Sequence, residues 1–446
     1  MSLKTFSRGG VHPPEHKLSS GLAIEELPLP DVVVIPVSQH LGAPAKVLVN
    51  RGDQVKIGQL IAQSEGFVST NIHSSVSGKV LKVDQFLDSS GYKKMAVQIQ
   101  VEGEVWEENI DRTDDLVRNT VLKSEAIRKK ILEAGIVGLG GATFPSHVKL
   151  MVPKGKTAEY VIINGVECEP YLTADHALMI ERTEEVFAGI QVLMKGLGVD
   201  KAIVGIENNK PDAIQKMKQI AQGSQMQVQV QGLKVKYPQG GEKQLVQALL
   251  KREVPSGGLP IDVGVVVFNV GTALAAYEAV NKNRPLIDRV VTVTGKSLKK
   301  PSNFLVRIGT PVSYLVEKAG GLPGDTAKVV NGGPMMGKAL STLDVPVVKG
   351  SSGILLISED EARRKELLPC IRCTKCVTVC PMGLEPYLMM TLSERSLFER
   401  MEGEKVMDCI ECGSCSYTCP SSRPLLDYIR LGKAEVGKII RARKAV

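Results

Sequence analysis

Residues 370–381 read CIRCTKCVTVCP, and residues 409–420 repeat the pattern as CIECGSCSYTCP. Each run is C-x2-C-x2-C-x3-C-P. In such runs the first three thiolates wrap one iron–sulfur cubane and the fourth reaches across to the other. The spacing therefore assigns Cys370, Cys373, Cys376 and Cys419 to one [4Fe-4S] cluster, and Cys409, Cys412, Cys415 and Cys380 to a second. Zinc is the competing occupant. It takes two C-x2-C pairs per ion and has no use for a third cysteine at x2 or a Cys-Pro at x3. The insertion at 383–408, GLEPYLMMTLSERSLFERMEGEKVMD, is patterned as helix, so the module is an α-helical dicluster ferredoxin.

Eight of the nine cysteines lie in these runs, and the ninth, Cys168, reads as a small buried hydrophobe. Local clustering at fixed spacing is metal binding rather than disulfide stapling, and it points to a reducing compartment. At roughly 100–200 residues per domain, 446 residues make two to four domains. An apolar share of 43% with 23% charged excludes a disordered chain. Aromatics at 4%, with a single Trp, argue against a stacking platform for nucleic acid. The net charge of +8 suits an anionic ligand or an acidic partner surface. The first thirty residues hold no apolar stretch with a cleavage-like site, so no signal peptide is expected. The longest nearly uncharged run, VGVVVFNVGTALAAYEAV at 263–280, is broken by Asn269 and Gly271 and reaches Glu278. A bilayer span needs about 20 apolar residues, so this run reads as a buried strand turning into a helix.

Turn signals and β-branched runs alternate over 32–103, from VVVIPV to AVQIQV. From Ser124 an amphipathic helix, SEAIRKKILEAG, opens a rhythm in which EYVIING, KAIVGIE and QVQVQGLKVK are strands and the segments between them helices. That is the pattern of a parallel sheet covered by helices. Strands return at DRVVTVTG, NFLVRIGT and TAKVVNGG around one short helix, as in a β-grasp module. The end of the chain, from Tyr428, carries Arg430, Lys433, Lys438, Arg441, Arg443 and Lys444 against Glu435. It reads as a basic tail drawn to an anionic leaflet. The resulting expectation is an α/β multidomain chain. Residues 1–105 form an N-terminal barrel-sandwich and 120–260 a Rossmann-like flavin- and nucleotide-binding domain. Residues 261–350 form the β-grasp, 360–425 the dicluster module and 426–446 the tail.

Gly135, Gly138, Gly140 and Gly141 follow the first helix of the α/β region within seven residues. Such density suits a loop whose backbone N–H groups approach a phosphate. GLGGATFPSHVK at 138–149 resembles the flavin loop of the NADH-binding flavoprotein subunit of respiratory complex I. Three further blocks resemble that family in order: Asn164 to Pro170 (NGVECEP), Tyr237 to Lys243 (YPQGGEK) and Asn269 to Ala273 (NVGTA). Val166 and Lys243 depart from the family's acidic residues. PAKVLVNRGDQVKIGQLIAQ at 44–63 resembles the biotinyl/lipoyl barrel, but Glu65 to Thr70 holds no lysine, so the resemblance implies the fold without the carrier function. With GGVHPP at 9–14 and GGPMMG at 332–337, the whole chain resembles the RnfC family, one component of the Rnf ion-translocating electron-transport complex.

That resemblance implies non-covalent FMN, NAD(H) as substrate, and two [4Fe-4S] clusters in an NADH/ferredoxin oxidoreductase subunit of a translocase complex. Gly138, Gly140, Gly141, Lys149 and Asn164 correspond to residues holding the flavin phosphate and ring, with Tyr237, Gly240, Gly241, Asn269 and Thr272 completing the pocket. Phe144, Glu167, Glu169 and Glu242 correspond to residues facing the nucleotide. No side chain is singled out as a catalytic acid, base or nucleophile. The implied partners are the other subunits of a membrane complex, with ferredoxin reached indirectly. The implied place is peripheral, on the cytoplasmic face of the bacterial inner membrane. The alternative is a flavin-free dicluster relay or scaffold.

Overall fold

The computed structural model describes residues 2–224 and 226–444. Its centre is a four-stranded parallel sheet ordered Gln227–Leu233, Lys201–Glu207, Tyr160–Asn164, Val265–Asn269. All four strands are nearly continuous apolar runs, as strands buried on both faces must be. The chain enters at Tyr160–Asn164, steps outward twice, then crosses back to lay Val265–Asn269 on the other side. The helices Thr183–Leu197 and Val270–Asn281 pack together over one face. The run 263–280 is thus the strand turning into a helix that its pattern suggested. It also corrects the boundary at 261. Val265–Asn269 pairs along its whole length with Tyr160–Asn164, so the α/β domain continues through Asn281.

The β-grasp module begins at Asp288 and is a six-stranded mixed sheet ordered Ile24–Glu26, Ser302–Arg307, Asp288–Thr294, Gly353–Ser358, Thr326–Asn331, Lys338–Ala339. The helix Val312–Lys318 seals its core of Val291, Val293, Phe304, Leu315 and Ile354. Two strands come from outside the expected limits. Gly353–Ser358 fills the middle of the sheet, and Ile24–Glu26 extends its edge.

The barrel is two small antiparallel sheets around Val33, Ile35, Ile61, Ile72, Val80, Val97 and Ile99. Residues 1–30, expected within it, run instead as a strap. Lys4 bridges Leu233 at the free edge of the parallel sheet, Val11 bridges Tyr237, and the Gly10 N–H donates to the Val379 carbonyl at 2.8 Å.

The basic tail is also corrected. Leu425–Lys444 is one helix packed on Pro386–Glu394 and Phe398–Gly403. Leu425, Ile429 and Val436 recur at helical spacing and bury against Met389, Met390 and Met401. The cations are spent locally: Arg430 and Lys433 on Glu411, Lys438 on Glu435, Arg443 on Glu402. Residues 445–446 lie outside the described residues.

Ile429 is 1% exposed. Ile429→Ala is expected to cost about 2–5 kcal/mol, read as a lower unfolding midpoint together with iron loss. Truncation after Leu426 is expected to abolish iron retention. A truncated chain that keeps its full iron would restore the tail reading.

Candidate functional site

Asn164 and Asn269 end neighbouring parallel strands and are register partners. The connections leave these strands in opposite directions, which opens a crevice at their carboxyl ends, the place where open α/β sheets bind ligands. Asn269 caps the helix Val270–Asn281 by accepting the Gly271 N–H at 2.8 Å. The Thr272 hydroxyl accepts the Leu139 N–H at 2.9 Å and so pins the glycine loop to that helix's first turn. The loop closes on itself through the Gly138 N–H and the Phe144 carbonyl, 2.9 Å apart. A Cβ on Gly140 would stand 2.9 Å from Asn269 Nδ2, so only glycine lets the loop lie this close.

On the other side, Asn164 Nδ2 donates to the Gly240 carbonyl at 2.8 Å. This draws in Tyr237–Gly241, which leads into the helix Glu242–Leu250. Lys149 Nζ donates to the Val267 carbonyl at 3.0 Å and pairs with the Glu242 carboxylate. A glycine loop, the start of a capped helix and a lysine therefore converge on one crevice. That donor set fits a phosphate group. Phe144 is half-buried beside it.

The remaining two expected contacts are turned inward. The Glu167 carboxylate accepts the N–H groups of Asp175 and His176, at 2.7 and 3.3 Å, and so caps the helix Ala174–Glu181. Glu169 accepts the N–H groups of Met335 and Met336, at 3.1 and 2.8 Å, from the β-grasp turn.

Several buried ionic groups shape the crevice without any signal in the local sequence. Lys17 of the strap donates to the carbonyls of Glu167, Glu169 and Leu172. Arg289 of the β-grasp donates to the Leu139 carbonyl at 3.2 Å. Asp175 accepts from Asn269 Nδ2 at 2.6 Å. Burial first, and then the neighbouring Glu167 charge, push the Asp175 carboxyl up to about 7.

In the C-terminal module the two cysteine runs fold alike. Arg372 and Thr374 in one, Glu411 and Gly413 in the other, hold left-handed backbone at matching positions, and each run then enters a short helix. Cys380 leaves its own run and lines one cavity with Cys409, Cys412 and Cys415. The cavity holds about 380 Å³ of empty space, its mouth included, and is otherwise walled by apolar side chains such as Met382, Leu384 and Ile429. Backbone N–H groups of Leu384 and Glu411 point at Cys380 and Cys409 Sγ, each at 3.4 Å. Burial pushes the Cys409 thiol up to about 11 and Cys415 to about 12. Thiolates there need a metal core to balance their charge, which the four-sulfur set fits. Cys376 lies near Cys419, while Cys370 and Cys373 are exposed.

Comparison with known proteins agrees with this anatomy. The Nuo51 FMN-binding domain matches residues 131–278, the RnfC barrel sandwich hybrid domain 4–104, the SLBB domain 290–339 and a 4Fe-4S dicluster domain 363–420. The RnfC component of the proton-translocating ferredoxin:NAD(+) oxidoreductase complex of Clostridium ljungdahlii is 48% identical over 436 residues, covering 97% of this chain and 94% of that protein. The chain belongs to the RnfC family. A second relative, the corresponding component of the Na(+)-translocating ferredoxin:NAD(+) oxidoreductase complex of Acetobacterium woodii, is 45% identical over 438 residues, with 96% of each chain covered. The fold also resembles a chain of an NAD+-reducing [NiFe]-hydrogenase, with TM-score 0.50 and 18% identity over 70% of this chain and 63% of that one.

Asp175 carries a pH prediction. A carboxyl raised from its ordinary value near 4 to about 7 binds more protons folded than unfolded in that window. Its contribution to stability therefore falls as pH rises from about 4 to about 7. Asp175→Asn removes this penalty, so its melting temperature relative to the parent is expected to climb across the window. A difference that is flat with pH would contradict the assignment.

Proposed function

We propose that the chain is the NAD(H)-handling electron-transfer subunit of a membrane-bound, ion-translocating ferredoxin:NAD oxidoreductase. It holds FMN in the parallel-sheet crevice and two [4Fe-4S] clusters beyond it. The observation that carries the reading is that the crevice and the cysteine-lined cavity meet. Tyr237, three residues before the carbonyl that Asn164 binds, donates its hydroxyl to the Cys412 carbonyl at 2.8 Å.

When bound, the flavin exchanges a hydride with the nicotinamide and passes electrons singly, as cubanes require. The protein's part is placement. Gly138, Gly140 and Gly141 give the flavin phosphate close access to backbone donors, and Lys149 supplies a cation. Asn164, Asn269, Thr272, Tyr237, Gly240 and Gly241 frame the rest of the pocket. Phe144, Glu167 and Glu242 border the nucleotide side.

Cys380, Cys409, Cys412 and Cys415 hold the cluster nearer the flavin, and Cys370, Cys373, Cys376 and Cys419 hold the outer one. Cys370 and Cys373 are exposed, as are Leu367, Leu368 and Ile371 around them, so the outer cluster faces the partner subunits. Ferredoxin is then met through those subunits. No helix among the described residues is long and apolar enough to cross a membrane. Attachment is therefore peripheral, and use of the NAD(H) pool puts the chain on the cytoplasmic face.

Anaerobically reconstituted protein is expected to hold about eight irons per chain, with one FMN. Lys149→Ala removes a charge-assisted contact worth about 1.5–3 kcal/mol, so FMN is expected to bind about ten- to a hundredfold more weakly while iron content holds. Gly140→Val is expected to act in the same direction. Acid-released flavin equal to the parent in both variants would place the flavin elsewhere.

A further inference from the structure

The GGPMMG turn at 332–337 lies between the two cofactor sites. On one side it donates the Met335 and Met336 N–H groups to the Glu169 carboxylate, at 3.1 and 2.8 Å. The Tyr237 hydroxyl stands 3.4 Å from the same carboxylate while donating to Cys412. On the other side the Met336 carbonyl accepts from Arg430 at 3.3 Å, and Arg430 pairs with Glu411 of the cluster loop at 3.1 Å. Met335 packs with Tyr237 and Cys412 in one apolar cluster.

The contacts are tight enough to dictate residue type. A Cβ on Gly333 would stand 2.2 Å from Glu169 Oε2, and one on Gly413 would stand 2.7 Å from the Met335 carbonyl oxygen. Neither position admits a side chain unless the turn shifts. The carboxylate is spent on two backbone donors and faces the turn rather than the crevice. Three domains thus meet at one point: the α/β domain through Glu169 and Tyr237, the β-grasp through Met335 and Met336, and the dicluster module through Cys412 and Arg430.

We infer that Glu169 and the GGPMMG turn form a brace that fixes the loop bearing Cys409, Cys412 and Cys415 against the flavin crevice. Glu169 is then a positioning residue for electron transfer between flavin and cluster, and not a nucleotide contact. This rests on the function proposed above. It also gives the β-grasp module a task, because its turn is the piece inserted between the other two domains.

The test uses holoprotein mixed anaerobically with NADH, with two readouts. Ferricyanide reduction reports on the flavin site, and bleaching near 420 nm, on the order of the usual cubane absorption, reports on the clusters. In Gly333→Ala, FMN content and ferricyanide reduction are expected to match the parent, while bleaching slows about tenfold or more, as small misplacements do. The EPR signal of the inner cluster is expected to change while that of the outer one does not. Glu169→Gln, which adds no bulk, is expected to slow bleaching likewise, with KM for NADH within about twofold of the parent. A KM raised about tenfold with bleaching undiminished would make Glu169 a nucleotide contact and overturn the brace. Parental bleaching in both variants would overturn it too. A parent that does not react with NADH at all would instead overturn the proposed function.

Discussion

A buried hydrogen bond from the Tyr237 hydroxyl to the Cys412 carbonyl, 2.8 Å long, joins the flavoprotein fold to the cluster fold. Its net worth is about 1 kcal/mol, too little to hold two domains together. What it sets is position. Around it run the strap, through Gly10 and Val379, and the loop at Ser256–Gly257, which binds Asp408 just before the second cysteine run. A relay between a two-electron site and one-electron sites is useful only if their separation is fixed. The other domains are arranged around that requirement.

The same logic accounts for cations buried on carbonyl oxygens. Lys349 is 1% exposed and donates to the carbonyls of Asn71 and Gly135, at 2.8 and 2.7 Å. Burial alone lowers its pKa to about 7. Desolvating an ammonium is costly, and the gain is a three-way pin between barrel, β-grasp and the foot of the glycine loop. The barrel hairpin at 65–71, which bears no lysine, rests on the end of the helix Ser124–Glu133 through Asn71. It serves as a support, where related barrels present a carrier lysine.

Local periodicities are legible in the sequence. The cysteine runs, the helical insertion between them, the alternation of strands and helices from Ser124 and the strand-to-helix turn at 263–280 all follow from spacing over a few residues. Non-local pairing is not legible. Nothing near Val265 says that its neighbour is Tyr160, and nothing near Ile24 says that it joins Ser302–Arg307. The C-terminal helix looks like a basic tail because its charges stand out more than the Leu425, Ile429, Val436 spacing. Glu169 sits in the motif expected to face nucleotide, but its partners come from 166 and 167 residues away, beyond any local pattern. Asp175, Arg289 and Lys17 give no local signal for the same reason.

The relay works as described only if the inner cluster is the flavin's immediate partner. The most direct test is anaerobic stopped-flow bleaching by NADH in two single-cysteine variants that each lose one cluster. With the outer cluster removed by Cys373→Ser, the remaining cluster is expected to bleach at close to the parental rate. With the inner cluster removed by Cys412→Ser, the outer cluster is expected to stay oxidised on that timescale, although the flavin still reacts with NADH. Equally fast bleaching of the outer cluster in the absence of the inner one would contradict that order of transfer.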